Sequence, residues 1–150
     1  MSIFKEVVYK ELLSRIKERF ENLNYLIKSA KESRDNDSKS SVGDKHETFR
    51  AKIQTDIDNY YRQLVNLKSQ INILKNIDLS IKYPKISQGA FIETNHGYFF
   101  ISIGFGKLII ENKKIFAISI ISPIGMAMKD KLVSQHFYFK DSSYLIHSIS

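Results

Sequence analysis

The polar stretch Ser33-Arg34-Asp35-Asn36-Asp37-Ser38-Lys39-Ser40-Ser41-Val42-Gly43 separates two long segments that carry the apolar spacing of α-helices. Serine, asparagine and aspartate favour turns because their side chains bond to nearby backbone groups, and glycine does so because it accepts left-handed φ angles. The stretch therefore predicts a turn that joins two helices.

Apolar residues on both sides of this turn recur at steps of three and four, as in the heptads of coiled coils. They are Leu13, Ile16, Phe20, Leu23, Ile27 and Ala30 before the turn, and Phe49, Ile53, Ile57, Tyr60, Leu64, Leu67, Ile71 and Leu74 after it. Two matching stripes in one chain can pack against each other, so we expect an antiparallel helical hairpin over residues 1–78. An intermolecular coiled coil is the alternative.

The pattern changes after Leu74, where residues 76–88 contain Pro84 and read as a linker. Short runs rich in β-branched and aromatic residues follow and predict strands at 90–94, 98–103, 107–111, 115–121, 135–139 and 144–149. Ser122 and Pro123 suit the cap and the first residue of a short helix. We therefore expect an α+β protein whose residues 87–150 form a small antiparallel β domain with one short helix.

Composition excludes several kinds of site. The chain has 150 residues, a net charge of +7 and no cysteine, which removes disulfides, thiol nucleophiles and cysteine-based zinc sites. The histidines show no ligand spacing; they are His46, His96, His136 and His147. The sequence has neither a long apolar run nor a signal-peptide pattern, so we expect a cytoplasmic protein with no membrane partner.

Two carboxylates stand out at the end of the predicted turn. Asp44 and Glu47 are three residues apart, which places both on one side of a helix. An aspartate cap with a glutamate three residues later is also a common way to satisfy the first amide groups of a helix. In a complex, the same pair can help a partner to hold Mg²⁺, which needs few carboxylates from any one protein.

Two segments, in this order, resemble the GreA/GreB family of bacterial transcript-cleavage factors. Gly43-Asp44-Lys45-His46-Glu47 is similar to the family's Gly-Asp-x-x-Glu at the end of its helical hairpin. Ser122-Pro123-Ile124-Gly125-Met126-Ala127-Met128-Lys129-Asp130-Lys131 is similar to its Ser-Pro-Ile-Gly-x-Ala-Leu-x-Gly-Lys segment. With the order of hairpin and small domain, the resemblance covers nearly the whole chain.

The resemblance implies a monomeric RNA polymerase-binding elongation factor that is not an enzyme by itself. Its C-terminal domain would have an FKBP-like fold and bind bacterial RNA polymerase, with Ser122, Pro123, Ile124 and Gly125 as partner-binding residues. The hairpin would enter the secondary channel and come indirectly into contact with nascent RNA. There Asp44 and Glu47 would assist the polymerase active site in cleaving backtracked RNA, sharing Mg²⁺ only within that complex and binding no cofactor in isolation.

The chain also departs from the family pattern. Thr48-Phe49-Arg50-Ala51 stands where the family has Asn-Ala-Glu-Tyr, so that Arg50 replaces an acid, and Asp130 replaces a glycine. The first alternative is therefore a regulator or inhibitor that occupies the same channel without stimulating cleavage. The second is a coiled-coil interaction module unrelated to transcription, because heptad stripes need no polymerase.

Overall fold

The computed structural model describes residues 3–37 and 43–150, except for the side chains of Asp37 and Asp44. The chain divides into two compact units. One is Leu13–Asn72, and the other combines Ile73–Ser150 with the residues up to Leu12. The domain limits 1–78 and 87–150 stay a prediction. None of the described helices is both long and apolar enough to cross a membrane.

The unit Leu13–Asn72 is the expected helical hairpin. It contains helix α1 (Ile3–Asp37) from Leu13 onward and helix α2 (Gly43–Lys75) up to Asn72. Lys31 bonds Tyr61 and Arg34 bonds Gln54, so residues later in α1 meet residues earlier in α2, as antiparallel packing requires. The heptad residues that are buried here are Ile16, Leu23, Ile27, Ile53, Ile57, Leu64 and Leu67.

The sequence interpretation of the hairpin was wrong in two details. Helix α1 continues to Asp37, so the first part of the expected turn is helical. Polar residues are compatible with a helix here because they remain at the surface, and Arg34 Nη1 donates to Gln54 Oε1 across the helix pair at 2.7 Å. Phe49, expected in the buried stripe, is 47% exposed. Residues 38–42 of the expected turn lie outside the described residues.

The second unit contains a six-stranded sheet and a short helix, in the order expected from the sequence. Four strands precede helix α3 (Pro123–Met128) and two follow it. The strands are β1 (Phe91–Thr94), β2 (Gly97–Ile101), β3 (Gly106–Ile110), β4 (Lys113–Ile118), β5 (His136–Phe139) and β6 (Ser142–Ile149).

The sheet is mostly antiparallel, as expected, but one pair of neighbouring strands is parallel. The strand order is β3-β4-β2-β1-β6-β5, and β2 runs parallel to β4. The segment Gly104-Phe105-Gly106 is therefore not a hairpin turn between neighbouring strands. The Ser102 amide donates to Ile118 O at 2.8 Å and the Phe105 amide donates to Ala117 O at 3.2 Å, so this connection pairs with the end of β4.

The main core of this unit lies between α3 and one face of the sheet. Met128 of α3 is fully buried and packs in one cluster with Ile92, Phe99 and Ile101. Successive residues of a strand face opposite sides, so Phe91, Tyr98 and Phe100 lie on the other face. Phe4 of α1 makes edge-to-face contacts there with Phe91 and Tyr98. Phe99 and Phe100 of the aromatic run Tyr98-Phe99-Phe100 thus belong to the buried core.

Candidate functional site

The first candidate site is the start of α2, where the family-like segment begins. Gly43 is the first residue of the helix and has a φ of +39°. Residues with a Cβ are strained in this region, whereas glycine adopts it readily. A Cβ built on Gly43 meets no atom within 4 Å, so the backbone angle and not crowding favours glycine here. The glycine of the motif thus sets the direction in which the chain enters α2.

The side chains that follow Gly43 are mainly exposed. Lys45, Glu47 and Arg50 are exposed, and His46 is half-buried. The Asp44 backbone belongs to the first turn of α2, but its side chain lies outside the described residues, so the expected pairing of Asp44 with Glu47 stays a prediction. Arg50 follows Glu47 by three residues and so lies on the same side of the helix. The local charge therefore combines acidic and basic groups.

Carboxylate oxygens are the donors that Mg²⁺ prefers, and the exposed Glu47 offers one such group. Within the described part of the chain, no group of three or more His, Asp and Glu side chains is arranged to hold a metal ion. The chemistry of Glu47 fits a metal site that a partner completes.

The second candidate site is the start of α3, where the segment Ser122–Gly125 lies. Ser122 caps the helix, since its Oγ accepts a hydrogen bond from the Gly125 amide at 3.1 Å. The same hydroxyl donates to Ser119 O at 2.6 Å. Pro123 occupies the first helical position, where a missing amide hydrogen has no effect on helix bonding. The expected cap and helix start are confirmed.

Gly125 has an ordinary backbone conformation, but its position leaves no room for a side chain. It is buried, and a Cβ added to it would lie 2.8 Å from Ile120 O and 2.9 Å from Ile120 C, with Ser119 O nearer still. Real Cβ atoms essentially never approach backbone atoms below 3.0 Å. Glycine therefore allows α3 to approach the chain segment that leads into it. Of the four partner-binding residues expected from the sequence, Pro123 is exposed, Ser122 and Ile124 are half-buried, and Gly125 is buried. Ile124 also packs against the core.

Two exposed apolar side chains, one just before this helix and one within it, were not predicted as site residues from the sequence. Ile121 is 81% exposed and Met126 is 59% exposed, while Pro123 between them is also exposed. We call Ile121, Pro123 and Met126 together the α3 surface. Exposed apolar surface of this kind commonly marks a protein contact. In the aromatic run Phe137-Tyr138-Phe139, Tyr138 is also exposed, at 71%.

A buried lysine was also missed. Lys5 is only 1% exposed, although it belongs to the first turns of α1. Its Nζ donates to Ser150 O at 2.9 Å and lies 4.6 Å from the centre of the Tyr83 ring. Burial lowers the pKa of the Lys5 ammonium to about 8. Burial also raises the pKa of the Tyr83 hydroxyl, with a further contribution from the negative charge of Asp78.

Lys5 lines a cavity of about 510 Å³ with apolar residues that include Ile81 and Ile149. In sequence, Lys5 and Ser150 are 145 positions apart. No local pattern therefore indicates that this lysine becomes buried.

Comparison with protein-family models, with curated proteins and with solved structures finds no match to the chain.

Proposed function

We propose that the chain is a transcription elongation factor that binds bacterial RNA polymerase in the cytoplasm and promotes cleavage of backtracked RNA. In this proposal the turn end of the hairpin enters the secondary channel of the polymerase. The observation that carries it is the placement of the two family-like segments at helix starts. Glu47 is exposed in the first turns of α2, and Ser122 caps α3.

Asp44 and Glu47 are the residues that act on the reaction in this proposal. Spaced three apart, their carboxylates would lie on one side of α2 and would supply oxygen ligands to a Mg²⁺ ion shared with the polymerase. A metal ion in such a site activates water for phosphodiester hydrolysis. In this proposal the chain supplies and positions the two carboxylates, and the polymerase catalyses the reaction. Packing of α1 against α2 supports this role, because a paired helix resists bending better than a single one.

Docking is assigned to the α3 surface. Ser122, Pro123 and Ile124 form the helix start, and Gly125 permits the close approach that fixes its position. Ile121 and Met126 provide exposed apolar area beside it. The net charge of +7 favours association with a polymerase surface that is acidic overall. The factor would act as a monomer.

The experiment that tests the cleavage role uses a backtracked elongation complex with labelled RNA. The unmodified chain should shorten the RNA in the presence of Mg²⁺, and Asp44→Asn with Glu47→Gln should reduce shortening to the rate of polymerase alone. Glu18→Gln with Glu21→Gln is the matched control, because it neutralises two exposed carboxylates of the same spacing on α1. Equal cleavage by the Asp44/Glu47 variant and the control would show that the acids at the start of α2 have no role.

A second candidate function is supported by Arg50. This exposed guanidinium lies one helical turn beyond Glu47, where its positive charge disfavours a nearby metal ion. A factor of this kind would bind polymerase and alter elongation without shortening RNA. Arg50→Glu then provides a direct test, because adding an acid should create cleavage if Arg50 is what prevents it. Robust cleavage by the unmodified chain would exclude the non-cleaving function.

A further inference from the structure

A second cavity, of about 410 Å³, opens on the face of the sheet that carries α3. Aromatic rings from β2, β4 and β6 line it, together with lysines from β3, β4 and the turn between β5 and β6. We call it the lysine–aromatic cavity and define it by Phe99, Phe116, Tyr144, Lys107, Lys114 and Lys140.

The strand register explains how these residues come together. Lys107 of β3 lies opposite Phe116 of β4, and Phe116 lies opposite Phe99 of β2. Residues directly opposite each other in a sheet project to the same face. Lys114 is two residues from Phe116 in β4 and so shares that face as well. Tyr144 reaches the same cavity from β6, near the other edge of the sheet.

The rings in the cavity form a connected aromatic surface. Phe99 and Phe116 are stacked with their centres 5.3 Å apart. Tyr144 meets Phe99 edge-to-face at 5.8 Å and meets His96 edge-to-face at 5.2 Å. Phe116 and Tyr144 are half-buried, so part of each ring remains accessible. A planar aromatic ligand can therefore stack against this surface.

The charged side chains that line the cavity are lysines. Lys107, Lys114 and Lys140 are all exposed, and the described residues that line the cavity include no aspartate or glutamate. The exposed Asp141 follows Lys140 but is not among the lining residues, so lysines predominate at the cavity and attract anions to it. The cavity thus combines aromatic rings with exposed lysine side chains.

We propose that the lysine–aromatic cavity binds a nucleoside phosphate. The base stacks on the aromatic surface, and the phosphate is held by Lys107 and Lys114. The volume lies within the range of small-molecule sites, which favours a nucleotide as the ligand. A free nucleotide and the end of a single-stranded RNA present the same chemistry. Ile124 lines this cavity and also belongs to the proposed docking residues, whereas Lys107 and Lys114 do not, so the lysine variants test the added ligand separately from docking.

The test is isothermal titration calorimetry of the full chain with AMP and ADP, and with adenosine and inorganic phosphate as the two halves of the ligand. We expect AMP and ADP to bind more tightly than either half, because only they use both rings and lysines. Lys107→Gln with Lys114→Gln should weaken binding about tenfold. Lys17→Gln with Lys28→Gln is the control, since it removes the same charge from exposed positions on α1 and should leave the affinity unchanged.

Amide chemical shifts locate the ligand, and folding is checked by circular dichroism because the substituted lysines are exposed. Shifts of Phe99, Phe116 and Tyr144 on addition of AMP support the proposal. Tighter binding of short single-stranded oligoadenylate than of AMP, with the same lysine dependence, also supports it and identifies a strand end as the source. The proposal is overturned if neither AMP, ADP nor oligoadenylate binds at millimolar concentration, if the two lysine pairs weaken binding equally, or if a glutamate-rich peptide containing phenylalanine binds more tightly than all three.

Discussion

Replacing Gly125 by alanine tests how closely α3 approaches the chain that precedes it. The added Cβ would lie 2.8 Å from Ile120 O and 2.9 Å from Ile120 C, and nearer still to Ser119 O. All three are backbone atoms, which cannot rotate away as a flexible side chain can. Helix α3 must therefore shift outward, and the fully buried Met128 shifts with it.

The expected size of this effect follows from two opposing contributions. Overpacking of a buried position typically costs 1–3 kcal/mol, and three backbone contacts below the normal limit place Gly125→Ala at about 3 kcal/mol or slightly above. Alanine stabilises a helix interior by about 1 kcal/mol relative to glycine. The free energy of unfolding should therefore fall by about 2–3 kcal/mol, which lowers Tm by roughly 5–10 °C for a chain of this size.

Urea and thermal unfolding followed by far-ultraviolet circular dichroism measure this change. Met126→Ala is the matched control, because Met126 belongs to the same short helix and is 59% exposed, and it should alter the free energy of unfolding by less than about 0.5 kcal/mol. If Gly125→Ala proves as stable as the unmodified chain, or more stable, helix propensity dominates and the close approach of α3 is refuted.

Further predictions concern single side chains. Burial lowers the pKa of Lys5 from 10.5 to about 8, so the unfolded chain binds this proton more tightly than the folded chain. The free energy of unfolding should therefore rise by about 1–2 kcal/mol as the pH increases from the lower to the higher of these pKa values. This figure allows for solvent in the adjoining cavity. Lys5→Met should abolish that rise in pH-dependent urea unfolding, and an unchanged slope would contradict the assignment. Ile57→Ala should lower the free energy of unfolding by about 2–4 kcal/mol because Ile57 is 1% exposed, whereas Val65→Ala, at a 68% exposed position, should have almost no effect. Ser122→Ala removes the cap of α3 and should cost about 1 kcal/mol in the same assay; no loss would argue against the cap.

The hairpin was predictable because its stabilising contacts repeat with the period of the helix. Ile16, Leu23 and Ile27 are buried where the heptad spacing places them. The end of α1 was not predictable, since serine and aspartate favour turns on average yet occur in exposed helical turns when a neighbouring helix supplies contacts such as Arg34 to Gln54. Phe49 was expected to be buried but is exposed, because heptad spacing alone does not reveal where the partner helix ends.

The strands were predictable from composition, but one pairing was not. Gly104-Phe105-Gly106 has the composition of a hairpin turn, whereas the amides of Ser102 and Phe105 bond to the end of β4. Sequence shows that the chain turns at these residues but not which strand it meets next. The parallel pairing of β2 with β4 follows from that choice.

The candidate sites also differ in whether the sequence reveals them. Gly43–Glu47 and Ser122–Gly125 are continuous segments at helix starts, where cap and turn chemistry is visible in the sequence. Lys5 and the lysine–aromatic cavity combine residues from distant positions. Lys5 bonds to Ser150. Lys107 and Phe99 both lie opposite Phe116, which belongs to the strand between theirs. Such groupings depend on the completed sheet.

The measurement that tests the proposed function most directly is binding of the fluorescently labelled full chain to purified bacterial RNA polymerase core enzyme, followed by anisotropy. Saturable binding at micromolar concentration or below is expected, and Ile121→Ser with Met126→Ser should weaken it, while Tyr25→Ser, a change at a 70% exposed position on α1, should not. Absence of binding to the polymerase at these concentrations, with the chain folded, would contradict the assignment to transcription.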